Sequence, residues 1–134
     1  MSQITRAQMF PLLTEACPPF KTEWEQFLAE YGDGPEPFHY IAITRLARCL
    51  SRSLREGDGE TISRVFVLLE RFIKEGDHDV QETAVVGIIK CLQNAEFHDG
   101  TTSDQYVPFL LPETRRWWSK VQSFWTNGRL LTEA

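Results

Sequence analysis

Residues 56–77 read EGDGETISRVFVLLERFIKEGD, and this stretch decides the fold. It opens with Glu56-Gly57-Asp58 and closes with Glu75-Gly76-Asp77, and each of these similar junctions separates two runs with helical periodicity. Glycine readily takes the left-handed backbone conformation that ends a helix, and the aspartate after it can accept hydrogen bonds from the free N–H groups that start the next. The junctions therefore predict one helix of about four turns between them, within three consecutive helices packed back and forth as in an α-solenoid.

Start and stop signals place the remaining helices. Thr22 with Glu25 forms a capping box that predicts the start of the second helix, whereas Cys17-Pro18-Pro19 is expected to break the first. Pro112 suits the first turn of the last helix. The predicted helices run over about Thr5–Ala16, Thr22–Tyr31, Phe38–Glu56, Glu60–Lys74, Asp79–Asn94 and Pro112–Asn127, with a further short turn at Tyr106–Leu111.

The predicted fold is all-α. The helix over Asp79–Asn94 is apolar on nearly every side, so we expect it to be the most buried element, at the centre. Residues 32–37 and Glu96–Asp104 are predicted loops, and the second is expected to be the most flexible segment. We predict a single domain, residues 1–134, built as a HEAT-like stack of six or seven helices, with residues 129–134 as a frayed tail.

Composition narrows the class of protein. The chain has 134 residues and a net charge of −5, which disfavours nucleic acid as a partner and favours a basic protein. The cysteines Cys17, Cys49 and Cys91 form no C-x-x-C pair, so we expect reduced, packed thiols in a cytoplasmic protein. The sequence shows neither a secretion signal nor an apolar run long enough to span a membrane, and no membrane partner is expected.

Catalytic and metal-binding patterns are not found in the sequence. The histidines His39, His78 and His98 belong to no ligand spacing such as H-E-x-x-H. The sequence contains no G-x-S-x-G, P-loop or G-x-G-x-x-G. We therefore expect no enzyme activity, catalytic residue, cofactor, metal or small-molecule substrate, and an enzyme of unrecognised type is kept as an alternative.

An arginine stripe on the third predicted helix has two interpretations. Steps of three and four residues keep its members on one helix face. The stripe could meet phosphates, which would suit a helical-repeat nucleic-acid-binding protein, or it could meet an acidic partner. It could instead be a solvated face, or pair with acids of the second helix. The arginines are Arg45, Arg48, Arg52 and Arg55, and the acids are Glu23, Glu25 and Glu30.

An acidic cluster surrounds the start of the fifth predicted helix. Carboxylates favour the positive end of a helix, which is one explanation. The other is a docking site for a basic protein, and these are our candidate partner-binding residues. They are Glu75, Asp77, Asp79 and Glu82.

The last helix is rich in aromatic residues. Trp118, Val121 and Trp125 share one face, flanked by Trp117 and Phe124. We expect such a helix to cap the core, and an exposed interface anchor is the alternative. Trp125 is therefore predicted to be buried.

Several of these motifs resemble an uncharacterised all-helical bacterial family. They are Cys17-Pro18 with Trp24-Glu25-x-Phe27-Leu28, Glu75-Gly76-Asp77 with Val80-x-Glu82-x-Ala84 and Gly87, and Pro112-Glu113-Thr114-Arg115-Arg116-Trp117-Trp118 leading to Phe124-Trp125. The resemblance covers nearly the whole chain and implies HEAT-type stacking. Some members are encoded beside polymorphic toxins, which implies an immunity-type role. The resemblance carries over no catalytic or binding residue.

These observations favour a cytoplasmic protein-binding module. The most concrete hypothesis is a bacterial immunity protein that neutralises a basic toxin by steric and electrostatic occlusion.

Overall fold

A computed structural model describes residues 3–32 and 38–127. Within these residues the structure is helical, without a strand, and a single parallel bridge joins Ile4 to Gly76. The all-α prediction is confirmed. The loop at residues 33–37 and the tail at residues 129–134 lie outside the described residues. The α-helices are α1 (Arg6–Ala16), α2 (Pro18–Tyr31), α3 (Phe38–Glu56), α4 (Gly59–Glu75), α5 (His78–Glu82), α6 (Lys90–Gln93) and α7 (Pro112–Asn127).

Both predicted junctions form, but their glycines serve different purposes. Asp58 accepts a hydrogen bond from the backbone N–H of Thr61 at 3.2 Å, and Asp77 accepts one from that of Val80 at 2.9 Å. Gly57 has φ +72, the left-handed conformation that was predicted. Gly76 does not, because its φ is −76 and its backbone is extended.

Close packing explains why residue 76 is a glycine. A Cβ added to Gly76 would clash with the carbonyl oxygen of Phe72 and with Cγ1 of Val80, and would lie 2.8 Å from Cβ of Val80. The extended backbone instead bonds the N-terminal segment. Ile4 N–H donates to the oxygen of Glu75, and Asp77 N–H donates to the oxygen of Ile4, both at 3.0 Å. The left-handed interpretation of Gly76 was therefore wrong.

The second helix starts earlier than its capping box predicted. It begins at Pro18, and Thr22 lies inside it. A proline in the first turn leaves no N–H unpaired, so Cys17-Pro18 changes the direction of the chain between two helices without a loop. Cys17 N–H closes α1 by donating to the oxygen of Leu13, while the Cys17 oxygen accepts from Phe20 N–H, both at 2.9 Å.

A central helix organises the core, as expected. It comprises α5, a π-helical segment over Thr83–Ile89, and α6. This helix contacts α1, α3, α4 and α7, and Ala84 and Ile89 are fully buried in it. Its burial is not complete all round, because Val86 is 43% exposed. We call residues 78–93 the central helix below.

The segment between the central helix and α7 is packed and hydrogen-bonded. Glu96–Asp104 was predicted to be a flexible loop and Tyr106–Leu111 a short helical turn. The structure has a 3₁₀ turn over Ala95–Phe97 and another over Ser103–Phe109. Nε2 of His98 donates to the oxygen of Leu92, and Nδ1 accepts from the Thr101 hydroxyl, both at 2.7 Å. The segment thus caps one end of the central helix, an arrangement that requires tertiary partners and that local polarity did not indicate.

None of the described helices has both the length and the apolar character that crossing a membrane needs.

Candidate docking surface

One exposed ridge of the central helix separates two grooves. Glu82 and Val86 lie one helical turn apart and line both grooves, and we call this pair the Glu82–Val86 ridge. The groove towards α7 has a cavity volume of about 360 Å³, and the groove towards α3 one of about 280 Å³. We call them the α7 groove and the α3 groove.

Apolar and aromatic side chains form part of the walls of both grooves. Val85 lies beside Val86 on the central helix, and Ile73 of α4 and Trp117 of α7 line the α7 groove with it. Tyr40, which is half exposed, lines the α3 groove. Exposed aromatic and aliphatic side chains around a polar group are typical of protein-binding surfaces.

Val86 lies in the π-helical segment and Glu82 directly before it, and glycine permits close packing there. A Cβ on Gly87 would come within 2.9 Å of Cδ1 of Ile43, so the missing side chain lets α3 approach the central helix. Val86, directly before Gly87, is turned outward. π-helical turns occur frequently at functional sites, which adds weight to this part of the surface.

The four predicted acidic residues make different contacts in the structure. Asp77 caps the start of α5, and Glu75 pairs with Arg71 at 3.6 Å. Neither lines a groove. Asp79 and Glu82 do meet in the α3 groove. Among the described residues, Glu82 is the member of the cluster that makes no ion pair or capping bond.

Asp79 is held by an arginine that joins three helices. Nη1 of Arg6 donates to both carboxylate oxygens of Asp79, at 3.0 and 3.1 Å. Nη2 of Arg6 donates to Nδ1 of His39 at 2.6 Å, which requires the ring to carry its proton on Nε2. Asp79 is already paired with Arg6. Of the two carboxylates in the α3 groove, Glu82 is therefore better able to pair with a partner.

The arginine stripe is largely engaged within the protein. Arg45 pairs with Glu30 on α2 at 3.3 Å, as one of the two interpretations anticipated. Arg48 lies over the Phe97 ring at 5.3 Å, and Arg55 pairs with Asp99 at 3.1 Å. Arg52 is exposed. The stripe therefore presents fewer free cations than its spacing suggested.

The aromatic face of α7 is only partly core. Trp118 and Val121 are buried as predicted, but Trp125 is 46% exposed, so its predicted burial was wrong. α7 runs alongside the central helix in the same direction, with Trp117 near Val86 and Lys90 over the rings of Phe124 and Trp125. The central helix ends at Gln93, so less of its surface remains to cover Trp125.

The start of α7 is closed by a carboxylate from α4. Glu70 accepts hydrogen bonds from the backbone N–H groups of Glu113 and Thr114 and from the Thr114 hydroxyl, at 2.8–3.1 Å. Burial opposes ionisation of Glu70, but these hydrogen bonds outweigh it, so the pKa of Glu70 lies below its usual value. Because Glu70 occupies these donors, the helix start is not available to an external anion.

Glu70→Gln is expected to lower stability by about 1 kcal/mol at neutral pH, because it removes a charged cap. Since folding lowers the pKa of Glu70, its contribution is fully present above the unfolded value near 4.5 and is lost as the pH falls through the folded value. Urea unfolding between about pH 7 and about pH 2.5 should therefore show the difference from wild type shrinking. Glu25→Gln, at an exposed site on α2, is the control. A difference independent of pH would contradict the capping role.

The cysteines are buried, free thiols. Burial raises the pKa of all three, to about 12 for Cys49 and about 11 for Cys91. A high pKa disfavours the reactive thiolate. Across the described residues, no three His, Cys, Asp or Glu side chains are grouped so that they could hold a metal ion.

The aliphatic and aromatic part of the surface was not predicted from the sequence. Val86 belongs to the helix that was expected to be the most buried element, and Tyr40 was not considered. One signal was present, since Val86 follows Glu82 by four residues and so shares the face of a charged side chain.

A search of protein families identified a model described as "Domain of unknown function (DUF7674)", which matches residues 10–126. No curated protein and no solved structure matches the chain.

Proposed function

The chain belongs to the DUF7674 family, and on that premise we propose that it is a protein-binding module whose docking surface is the Glu82–Val86 ridge. One observation carries the proposal: the ridge exposes a carboxylate without an ion pair beside Val86, Tyr40 and Trp117. Tyr and Trp are enriched among the few residues that supply most of the affinity in protein interfaces. The chain acts by binding a partner through this surface.

The partner is a basic protein, and binding covers the surface through which that partner acts. The net charge of −5 supports this choice, because long-range attraction raises association rates. The resemblance to a bacterial family with members encoded beside polymorphic toxins supports an immunity protein that neutralises a toxin. In this proposal the helices of the chain stack as in HEAT repeats. The buried reduced thiols of the chain suit the cytoplasm.

Co-production with the product of the adjacent gene tests the proposal. The two proteins should elute together in gel filtration, and this chain should restore growth that the other protein inhibits. Separate elution together with unrestored growth would overturn the toxin-neutralising role.

A further inference from the structure

We propose that the α7 groove binds an amphipathic helix of the partner, whose apolar residues enter the groove and whose Lys or Arg pairs with Glu82. This inference rests on the proposed function and specifies the partner's contact element. Its evidence is the charge balance, the length and the walls of the groove.

Charge balance at the Glu82–Val86 ridge favours a cationic group of the partner. In the α7 groove, Glu113 pairs with Arg116 at 3.4 Å, which leaves the charge of Glu82 unbalanced. In the α3 groove, Arg6 neutralises Asp79, and Glu82 is again in excess. Both grooves therefore favour a cation.

The third groove lies between α1 and α4 and has a cavity volume of about 530 Å³. In this groove Arg64 pairs with Glu60 at 2.9 Å. Arg71 pairs with Glu75 outside it, so among the described residues Glu15 also lacks an ion pair.

Val67 at the wall of this third groove is 49% exposed, but among the described residues no aromatic side chain lines the groove. Trp117 lines the α7 groove and Tyr40 lines the α3 groove. Aromatic residues are enriched among those that supply most of the affinity in interfaces, so the aromatic walls select the ridge.

The length of the α7 groove suits two turns of a helix. The central helix lines it from His78 to Val86, a rise of about 12 Å. The facing wall is the first part of α7, around Glu113 and Trp117. Two parallel helices with a trough between them form a seat into which the ridge of a third helix packs.

The walls favour a helix over an extended peptide. An extended chain needs backbone partners, as at the edge of a sheet. The walls of this groove are helices, and the first N–H groups of α7 are bonded to Glu70. A helical ligand satisfies its own backbone and needs only side-chain contacts. In this seat Glu82 lies at the rim, where a long cationic side chain reaches it while its methylene groups cover Val86.

A synthetic peptide probe tests the inference. The probe is an Ala-rich helix of about 16 residues, with leucines on one face and flanking lysines. One comparison peptide has the same composition with the leucines spread around the helix, and another has glutamate in place of lysine. NMR spectra of the protein should show shifts confined to the residues that line the α7 groove, which include Ile73, residues 78–86, Glu113 and the Trp117 indole. Both comparison peptides should bind at least about tenfold more weakly than the probe.

Two matched pairs of variants locate the site. Val86→Arg should weaken binding of the basic peptide by about tenfold or more, whereas Val67→Arg, at a similarly exposed valine, should not. Glu82→Lys should weaken it by about tenfold, whereas Glu25→Lys should not. Shifts at the α1–α4 groove, equal binding of the scrambled peptide, indifference to Val86→Arg and Glu82→Lys, or no binding at about 1 mM would each overturn the inference.

The outcomes separate this inference from the proposed function. If the adjacent gene product forms a complex that Glu82→Lys weakens while the peptide fails, the helical contact is wrong and the protein-binding role stands. If the peptide binds in the α7 groove while no complex forms, the toxin-neutralising role is wrong and the groove assignment stands.

Discussion

Ala84→Asp is expected to abolish folding. Ala84 is fully buried in the central helix, which contacts four other helices. An unpaired carboxylate there costs several kcal/mol, against a total stability of about 5–15 kcal/mol for a typical domain. Far-UV circular dichroism during thermal unfolding should show no cooperative transition.

The matched control for Ala84→Asp is Val86→Asp, two residues further along the same helix. Because Val86 is 43% exposed, its replacement keeps the new charge in water and should cost no more than about 1 kcal/mol. Equal damage from both variants would contradict the orientation of the central helix. A cooperative Ala84→Asp protein would contradict its burial.

Trp118→Ala is expected to lower the free energy of unfolding by about 3–5 kcal/mol, as for other large buried aromatic residues. The Trp118 ring is 2% exposed and lies 6.2 Å from the Phe66 ring and 6.1 Å from the Tyr106 ring. Urea denaturation measures this loss.

Trp125→Ala separates the two ends of the same aromatic face. With 46% of Trp125 exposed, its removal should cost at most about 1 kcal/mol. Equal losses from Trp118→Ala and Trp125→Ala would mean that α7 is packed along its whole length.

Local signals in the sequence predicted the helices well. Capping by Asp58 and Asp77 depends on residues three positions away, so both junctions were found. The start of α7 at Pro112 was also correct, because proline suits the first turn of a helix. The true start of α2 at Pro18 was missed because proline suits both a helix end and a first turn, and burial of Phe20 decides between them.

Features set by tertiary packing were not predictable. Gly76 is required by the nearby Phe72 and Val80, which the conformational argument for glycine does not capture. Helical spacing placed Trp118 and Trp125 on one face but could not indicate where the covering helix ends.

The candidate surface was predicted only in part. Asp79 and Glu82 were named from their place at a helix start, and both line the α3 groove. The neighbouring Tyr40 and Trp117 come from helices far apart in the chain, so no local pattern could associate them with Glu82.

Surface plasmon resonance with the adjacent gene product, across a salt series, tests the central claim most directly. At low salt, Glu82→Lys should slow association by about tenfold, because it reverses the carboxylate that attracts a basic partner. Added salt should shrink that difference. The association rate of the Glu25→Lys variant should stay closer to that of the wild type. An association rate unaffected by Glu82→Lys and by salt would contradict the claim that this protein docks through the Glu82–Val86 ridge.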